Sequence, residues 1–264
     1  MLKITDQISK AGNIRNEDIY AYSENTLLIL DGSSGLVPNA PDAQYFVTEY
    51  SRIFMEKIAK TKDLCWSVNY SLLELSKLYD REIAQDFVVL PSASLMAVQQ
   101  KDGKLRFLSV GDCTAFIKTK DQLFTLYCNQ VEGFDNAVKA QAMKVHKQTG
   151  EDICNIMQTP SIKQMLFNNR LKMNAPDGYE ILAFNMTPRN ESHIIEFDAS
   201  EIEEVVVFTD GFDSMSHELA KIPCPPLSDV YEKLREQEKA DSTFNKFPRF
   251  KLSDDATAVV FKVE

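Results

Sequence analysis

The sequence predicts an α+β fold in which antiparallel sheets are covered by helices. Two observations carry that expectation. Neighbouring strand-like runs are joined by short polar turns, as hairpins are. The helical periodicities fall in blocks between groups of strands, which fits antiparallel sheets better than alternating βαβ units. A third observation points toward function, because the strands end on acids. In EEVVVFTDGFDSM (203–215), the run Val205 to Phe208 passes straight into Thr209, Asp210 and Gly211. A single Asp-Gly is ordinary turn chemistry; here the pattern recurs along the chain.

Taken from the N-terminus, IYAY (19–22) and TLLIL (26–30) flank Ser23 to Asn25 and read as a hairpin. Ala43, Phe46, Val47, Tyr50, Ile53, Phe54 and Ile58 recur at helical spacing behind Asp42, predicting a helix over 42–60. Val68, Leu72, Leu75 and Tyr79 predict a second over about 66–85. SASLMAVQQ, KLRFLSVG and TAFIKT read as three strands, with Asp102-Gly103 turning between the first two. From about 128 to 178 the chain is polar and helix-like, an insertion that closes on NAPDGY. Strands are expected again at YEILAFN, SHIIEF and EEVVVFT. The Pro-rich IPCPPLS then leads into a charged helix near 228–239, and ATAVVFKV is the last strand. With no repeat, low-complexity tract or linker, one domain over 1–264 is expected.

The 264 residues are 44% hydrophobic and 26% charged, ordinary for a globular chain. A formal net charge of −10 with no basic run argues against a nucleic-acid partner. The five cysteines are scattered with no CxxC pair, as in a reduced, cytoplasmic protein. MLKITDQISK lacks the apolar core of a signal peptide, and no run reaches the length of a membrane span. The sequons at Asn69 and Asn190 are accordingly read as chance, and a monomer without a membrane partner is expected.

Five acids abut strands. Asp31 follows TLLIL, Asp112 follows LRFLSVG, Asp210 follows VVVFT, Asp254 precedes ATAVVF and Glu17 precedes IYAY. A hairpin that leaves from Glu17 and returns to Asp31 puts both at one open end. If the last strand runs antiparallel to 205–209, Asp254 faces Asp210. Clustered carboxylates raise one another's pKa and call for a neutralising cation. Oxygen ligands suit Mg²⁺, Mn²⁺ or Ca²⁺. Zinc is disfavoured, because His146, His193 and His217 are isolated. The glycines behind Asp31 and Asp210 suit backbone that must come close to ions, and a backbone carbonyl is a further oxygen donor.

With these pieces in view, the chain resembles the metal-dependent protein phosphatases of the 2C type, the PPM family. NED (16–18), DGSSG (31–35), VGDCTAF (110–116), TDGF (209–212) and DDAT (254–257) occur in the family's order and span almost the whole chain. The resemblance implies a four-layer α-β-β-α sandwich with a binuclear Mn²⁺ or Mg²⁺ centre at one end of the sheets. It implies that Asp31 bridges both ions and that Asp210 and Asp254 ligate the first. Glu17 and the carbonyl of Gly32 serve the second. Asp112, with Asp210, holds a third and weaker ion, and Asp18 holds metal-bound water. Asp31, Asp210 and Asp254 would thus carry the reaction: a hydroxide shared by two metals attacks the phosphorus of a phosphoserine or phosphothreonine in a phosphoprotein. The helical insertion would be the family's flap beside the cleft.

The chain also departs from the family's pattern. The arginine often found four residues before the Glu of NED is Asn13 here, and Arg15 is the expected substitute for binding substrate phosphate. Ser33 stands where some members carry a histidine, Ser34 where many have a smaller residue, and PSAS (91–94) where a glycine is usual. A cysteine phosphatase needs Cys-x5-Arg, but Ser71, Thr119, Phe134, Pro160 and Val230 occupy those sixth positions. DxDxT, GNH and Walker motifs are absent. Two other readings share the motifs: a catalytically weak or inactive relative kept as a binding or regulatory module, and a phosphatase of small metabolites.

Overall fold

Both faces of the strand bearing Val205 to Phe208 are covered, so its apolar residues run without alternation. This is seen in a computed structural model that describes residues 1–36, 42–79, 87–244, 246–247 and 249–264. Its strands are β1 (Leu2–Lys10), β2 (Asp18–Ser23), β3 (Thr26–Ser33), β4 (Ser92–Lys101), β5 (Lys104–Val110), β6 (Thr114–Thr119), β7 (Leu123–Leu126), β8 (Ile194–Asp198), β9 (Ile202–Phe208) and β10 (Ala256–Val263). Its helices are α1 (Ala43–Thr61), α2 (Leu64–Ser76), α3 (Gln130–Thr149), α4 (Ile153–Met157), α5 (Pro160–Arg170), α6 (Ser216–Leu219) and α7 (Leu227–Ala240).

The strands form two sheets, β1-β10-β9-β6-β7 and β2-β3-β4-β5-β8, antiparallel at every pairing. Alternate residues of each strand point to opposite faces. Leu27, Ile29, Met96, Val98 and Phe107 of one sheet therefore meet Val205, Val207, Val259 and Phe261 of the other in a shared core. On the outside, Leu28, Leu30 and Ala97 pack on Phe46, Tyr50 and Phe54 of α1 and Val68 of α2. Val206, Phe208 and Val260 pack on Leu227, Val230 and Leu234 of α7. These faces make four layers, α-β-β-α. Burying each such aliphatic side chain contributes roughly 1.5–3 kcal/mol, so a charge placed at Val207 would split the sandwich at its middle.

Local chemistry sets the element ends. Asp42 caps α1 through the N–H of Gln44, and Asp63 caps α2 through that of Trp66, both at 2.8 Å. Asp102 and Gly103 both take positive φ, 52° and 75°, as a two-residue hairpin turn requires. α2 begins two residues before its expected start and is helical only to Ser76; the part of the prediction beyond residue 79 lies outside the described residues. α3, α4 and α5 fall within the expected helical insertion and bury their own cluster of Val138, Ala142, Ile153, Ile156 and Ile162, with Phe244.

One reading is corrected, and one strand was not foreseen. YEILAFN is not a strand: it makes only isolated bridges, Ala93 with Leu182 and Met173 with Tyr179. Asn174 explains why, since its side chain bonds both the N–H and the carbonyl of Ile181 and takes the place of a neighbouring strand. Conversely, the N-terminal MLKITDQISK contains β1, whose Leu2, Ile4 and Ile8 pack inward against the rest of the fold.

Candidate metal centre

The strands that carry acids deliver them to one end of the sandwich. Within the β2–β3 hairpin Asp18 pairs with Asp31. Asp31 pairs in turn with Ser94 of β4. In the other sheet Phe208 pairs with Ala258, which brings the end of β9 beside the start of β10. A cleft of about 390 Å³ opens there, and Glu17, Asp31, Gly32, Asp112, Asp210 and Asp254 all line it. Every residue expected to hold metal is thus in one wall or another of one cleft. Asp18 lies beneath it, buried.

Four of the acids have local tethers. Ser94 donates its hydroxyl to Asp112 Oδ1 at 2.5 Å and accepts the Asp112 N–H at 3.3 Å. Ser34 donates to Glu17 Oε1. Lys251 pairs with Asp254 Oδ1 at 2.6 Å, while Arg235 holds the Asp254 carbonyl at 2.7 Å. Thr209 donates to Asp18 Oδ2 at 2.8 Å. Gly32 is pressed onto the chain before β2: its N–H donates to the Glu17 carbonyl at 3.1 Å, and a Cβ there would stand 2.5 Å from that same oxygen.

Electrostatics marks the cluster as needing positive charge. Burial pushes Asp31 well above the usual carboxylate range, and the charges of Asp18, Asp210, Asp112 and Asp254 push it further. Asp210 is raised well above that range too, by burial, then Asp254, Asp112 and Asp213, although a hydrogen bond from Asp31 works against the rise. Asp18 is raised to about 7, mainly by burial; the Thr209 and Thr257 hydroxyls oppose this, and Asp255 and Asp254 add to it. Carboxylates so placed hold protons unless a cation replaces them.

The donor set fits a hard divalent cation: carboxylate oxygens and the Gly32 backbone, with no histidine or cysteine among the residues that line the cleft. Among the described residues, however, no three Asp, Glu, His or Cys side chains already converge tightly enough to enclose an ion. The tethers explain the spacing, because Glu17, Asp112 and Asp254 are each drawn to a serine or lysine instead of to a shared centre.

Arg15 is not brought into the cleft. The loop before β2 turns it outward, where it is two-thirds exposed and pairs with Asp42 at the start of α1. The cations that line the cleft are Arg170 and Lys251. Arg170, at the end of α5, is buried and donates to the carbonyls of Leu90 at 2.7 Å and Ser34 at 2.6 Å and to the Ser33 hydroxyl at 3.0 Å. One guanidinium thus ties the helical insertion to the loop that carries Gly32. Sequence reasoning missed Arg170, Ser94, Thr209 and Asp255. For Ser94 the clue was its position in the strand that neighbours Asp31. Nothing local in the sequence marks Arg170.

Residues 32–250 match the family model described as protein phosphatase 2C. Among solved structures, the chain is similar to the serine/threonine phosphatase PstP/Ppp of Mycobacterium tuberculosis, with a TM-score of 0.59 and 15% identity over 100% of this chain and 99% of that one. It is similar to Stp1 of Staphylococcus aureus, with a TM-score of 0.57 and 10% identity over 99% and 95%. It also matches the catalytic domain of PstP in complex with two manganese ions, with a TM-score of 0.52 and 14% identity over 99% of both chains. At such identities the likeness speaks for the fold. No curated protein matches the sequence.

Proposed function

Because the chain belongs to the protein phosphatase 2C family, the metal-dependent serine/threonine phosphatases that work with Mn²⁺ or Mg²⁺, we propose that the acids at the sheet ends carry its reaction and that its substrate is a phosphoprotein. Asp31 would serve both ions, Asp210 and Asp254 would hold one, and Glu17 with the Gly32 carbonyl would hold the other. Asp112 and Asp210 would hold a third, weaker ion. When bound, such ions supply Lewis acidity toward phosphoryl oxygens and lower the pKa of water. The chain's own residues set the geometry. Asp18, anchored by Thr209, is a buried acceptor for a proton of water at the site. Lys251, paired with Asp254 at the rim, is the cation that would meet a substrate phosphate with metal bound there. The insertion α3–α5 forms the cleft's side wall through Val131, Asp135, Met157 and Leu166, where it acts as a flap that meets the rest of the substrate.

The observation that carries this reading is the convergence of all six candidate donors, from both sheets, on one cleft. The test is hydrolysis of p-nitrophenyl phosphate and of a phosphoserine peptide by EDTA-stripped protein, with and without added Mn²⁺. Turnover of both that depends on Mn²⁺ is expected. Absence of turnover with saturating Mn²⁺ and a folded protein would overturn the reading.

A further inference from the structure

Asp255 is used by none of these roles, yet it is only 6% exposed and both of its carboxylate oxygens are engaged. Oδ1 accepts the N–H of Gly12 at 2.8 Å, and Oδ2 accepts the N–H of Glu17 at 2.7 Å. Both donors lie in the connection from β1 to β2. That connection leaves the sheet containing β10 and enters the other sheet. A side chain at the root of β10 therefore grips the strand entry of the opposite sheet, at Glu17 itself. The Glu17 peptide is then held on both sides: its N–H by Asp255 and its carbonyl by Gly32. The connection also lies flat on its neighbour, for a Cβ at Gly12 would come 2.2 Å from the Asp254 carbonyl carbon.

We propose that Asp255 is a positioning residue for the metal centre: it fixes Glu17 relative to Asp254, so that donors from two different sheets stand at a set separation. The inference rests on the reading of Glu17 and Asp254 as metal donors. A carboxylate is the group this task needs, because it offers two acceptors to two converging N–H groups. An asparagine of the same shape offers one acceptor and turns an NH₂ toward the second N–H. D255N thus loosens one of the two grips while keeping the volume of the side chain.

The test compares wild type, D255N and D255A after EDTA stripping. It measures Mn²⁺ binding by calorimetry, melting of the ion-free protein, and hydrolysis of p-nitrophenyl phosphate as a function of Mn²⁺. For D255N the ion-free melting temperature should stay within a few degrees of wild type. Its Mn²⁺ affinity at one class of site should fall about 10- to 100-fold, the usual effect of losing a residue that orients metal ligands. Half-maximal activity should need correspondingly more Mn²⁺, kcat should recover at saturation, and KM should not move. D255A should show the same pattern more strongly. A lower melting temperature with unchanged Mn²⁺ affinity makes Asp255 a structural clamp and overturns the proposal, as does failure of D255N to fold. Unchanged affinity beside normal wild-type uptake overturns this inference alone; no Mn²⁺ uptake by wild type overturns the metal assignment with it.

Discussion

Thr209, just past the end of β9, donates its hydroxyl to Asp18 Oδ2 across 2.8 Å, joining the end of one sheet to the beginning of the other. The same hydroxyl accepts the Thr257 N–H at 3.1 Å, and its owner's N–H donates to the Thr257 carbonyl at 3.0 Å. Three strands therefore meet at one buried oxygen beneath the cleft. Thr209→Val keeps the shape, removes the hydroxyl, and strands two buried partners. Leaving such groups unsatisfied costs about 1–3 kcal/mol each. Urea unfolding should show a loss of that order, and a variant as stable as wild type would mean that water replaces the hydroxyl.

Stability of the ion-free protein should depend on pH through the buried acids. Asp18 is raised to about 7 and Asp135 to about 6, in both cases mainly by burial. Asp31 and Asp210 are raised as well. A carboxyl raised on folding binds its proton more tightly in the native state, so its stabilisation is full below the unfolded value near 4 and is lost as pH climbs through the folded value. EDTA-stripped protein should therefore melt at a higher temperature at pH 5.5 than at pH 7.5, and saturating Mn²⁺ should shrink that difference. A melting temperature that rises with pH in EDTA would contradict the proposed charge state of the cluster.

Arg15 points at Asp42 on the surface, and surface pairs of this kind contribute at most about 1 kcal/mol. Arg15→Ala should leave KM for a phosphopeptide unchanged. Lys251→Ala, at the cleft rim, should raise it. Steady-state kinetics of the two variants separates the two cations; a KM increase confined to Arg15→Ala would return the phosphate to Arg15.

Arg170 ties α5 to the Gly32 loop, and burial lowers its pKa without removing the need for its partners. Arg170→Met keeps most of the volume and leaves the carbonyls of Leu90, Ser33 and Ser34 without their donor. A loss of several kcal/mol follows from three such groups. Limited proteolysis should cut first within 130–170, where the insertion is freed. Cleavage elsewhere, with 130–170 still protected, would show that the helical cluster holds the insertion without Arg170.

The sequence makes the strand ends legible because an apolar run stopping on an acid is a local signal. The Asp18–Asp31 pairing follows from counting residues round a short turn, and the nearness of Asp210 to Asp254 follows from antiparallel order. Arg15 misled because nearness in sequence says nothing of which way a loop residue turns. The tethers from Asp255 to Glu17 and from Arg170 to the Gly32 loop span 238 and 136 residues. Only the folded chain brings such groups together, so no spacing rule exposes them. Asp255 reads as a second solvated acid beside Asp254, yet it is buried because the β1–β2 connection lies across it.

The decisive measurement is Mn²⁺-dependent hydrolysis of a phosphoserine peptide by wild type and Asp31→Asn, each stripped of metal and then titrated by calorimetry. Asp31 sits where both sheets' acids converge, so removing its charge should abolish tight Mn²⁺ uptake and lower turnover by at least about 10³-fold, the equivalent of several kcal/mol. Melting of the ion-free variant should show an intact fold. Near-wild-type turnover of Asp31→Asn, or undiminished Mn²⁺ uptake, would contradict a metal centre built from the strand-end acids.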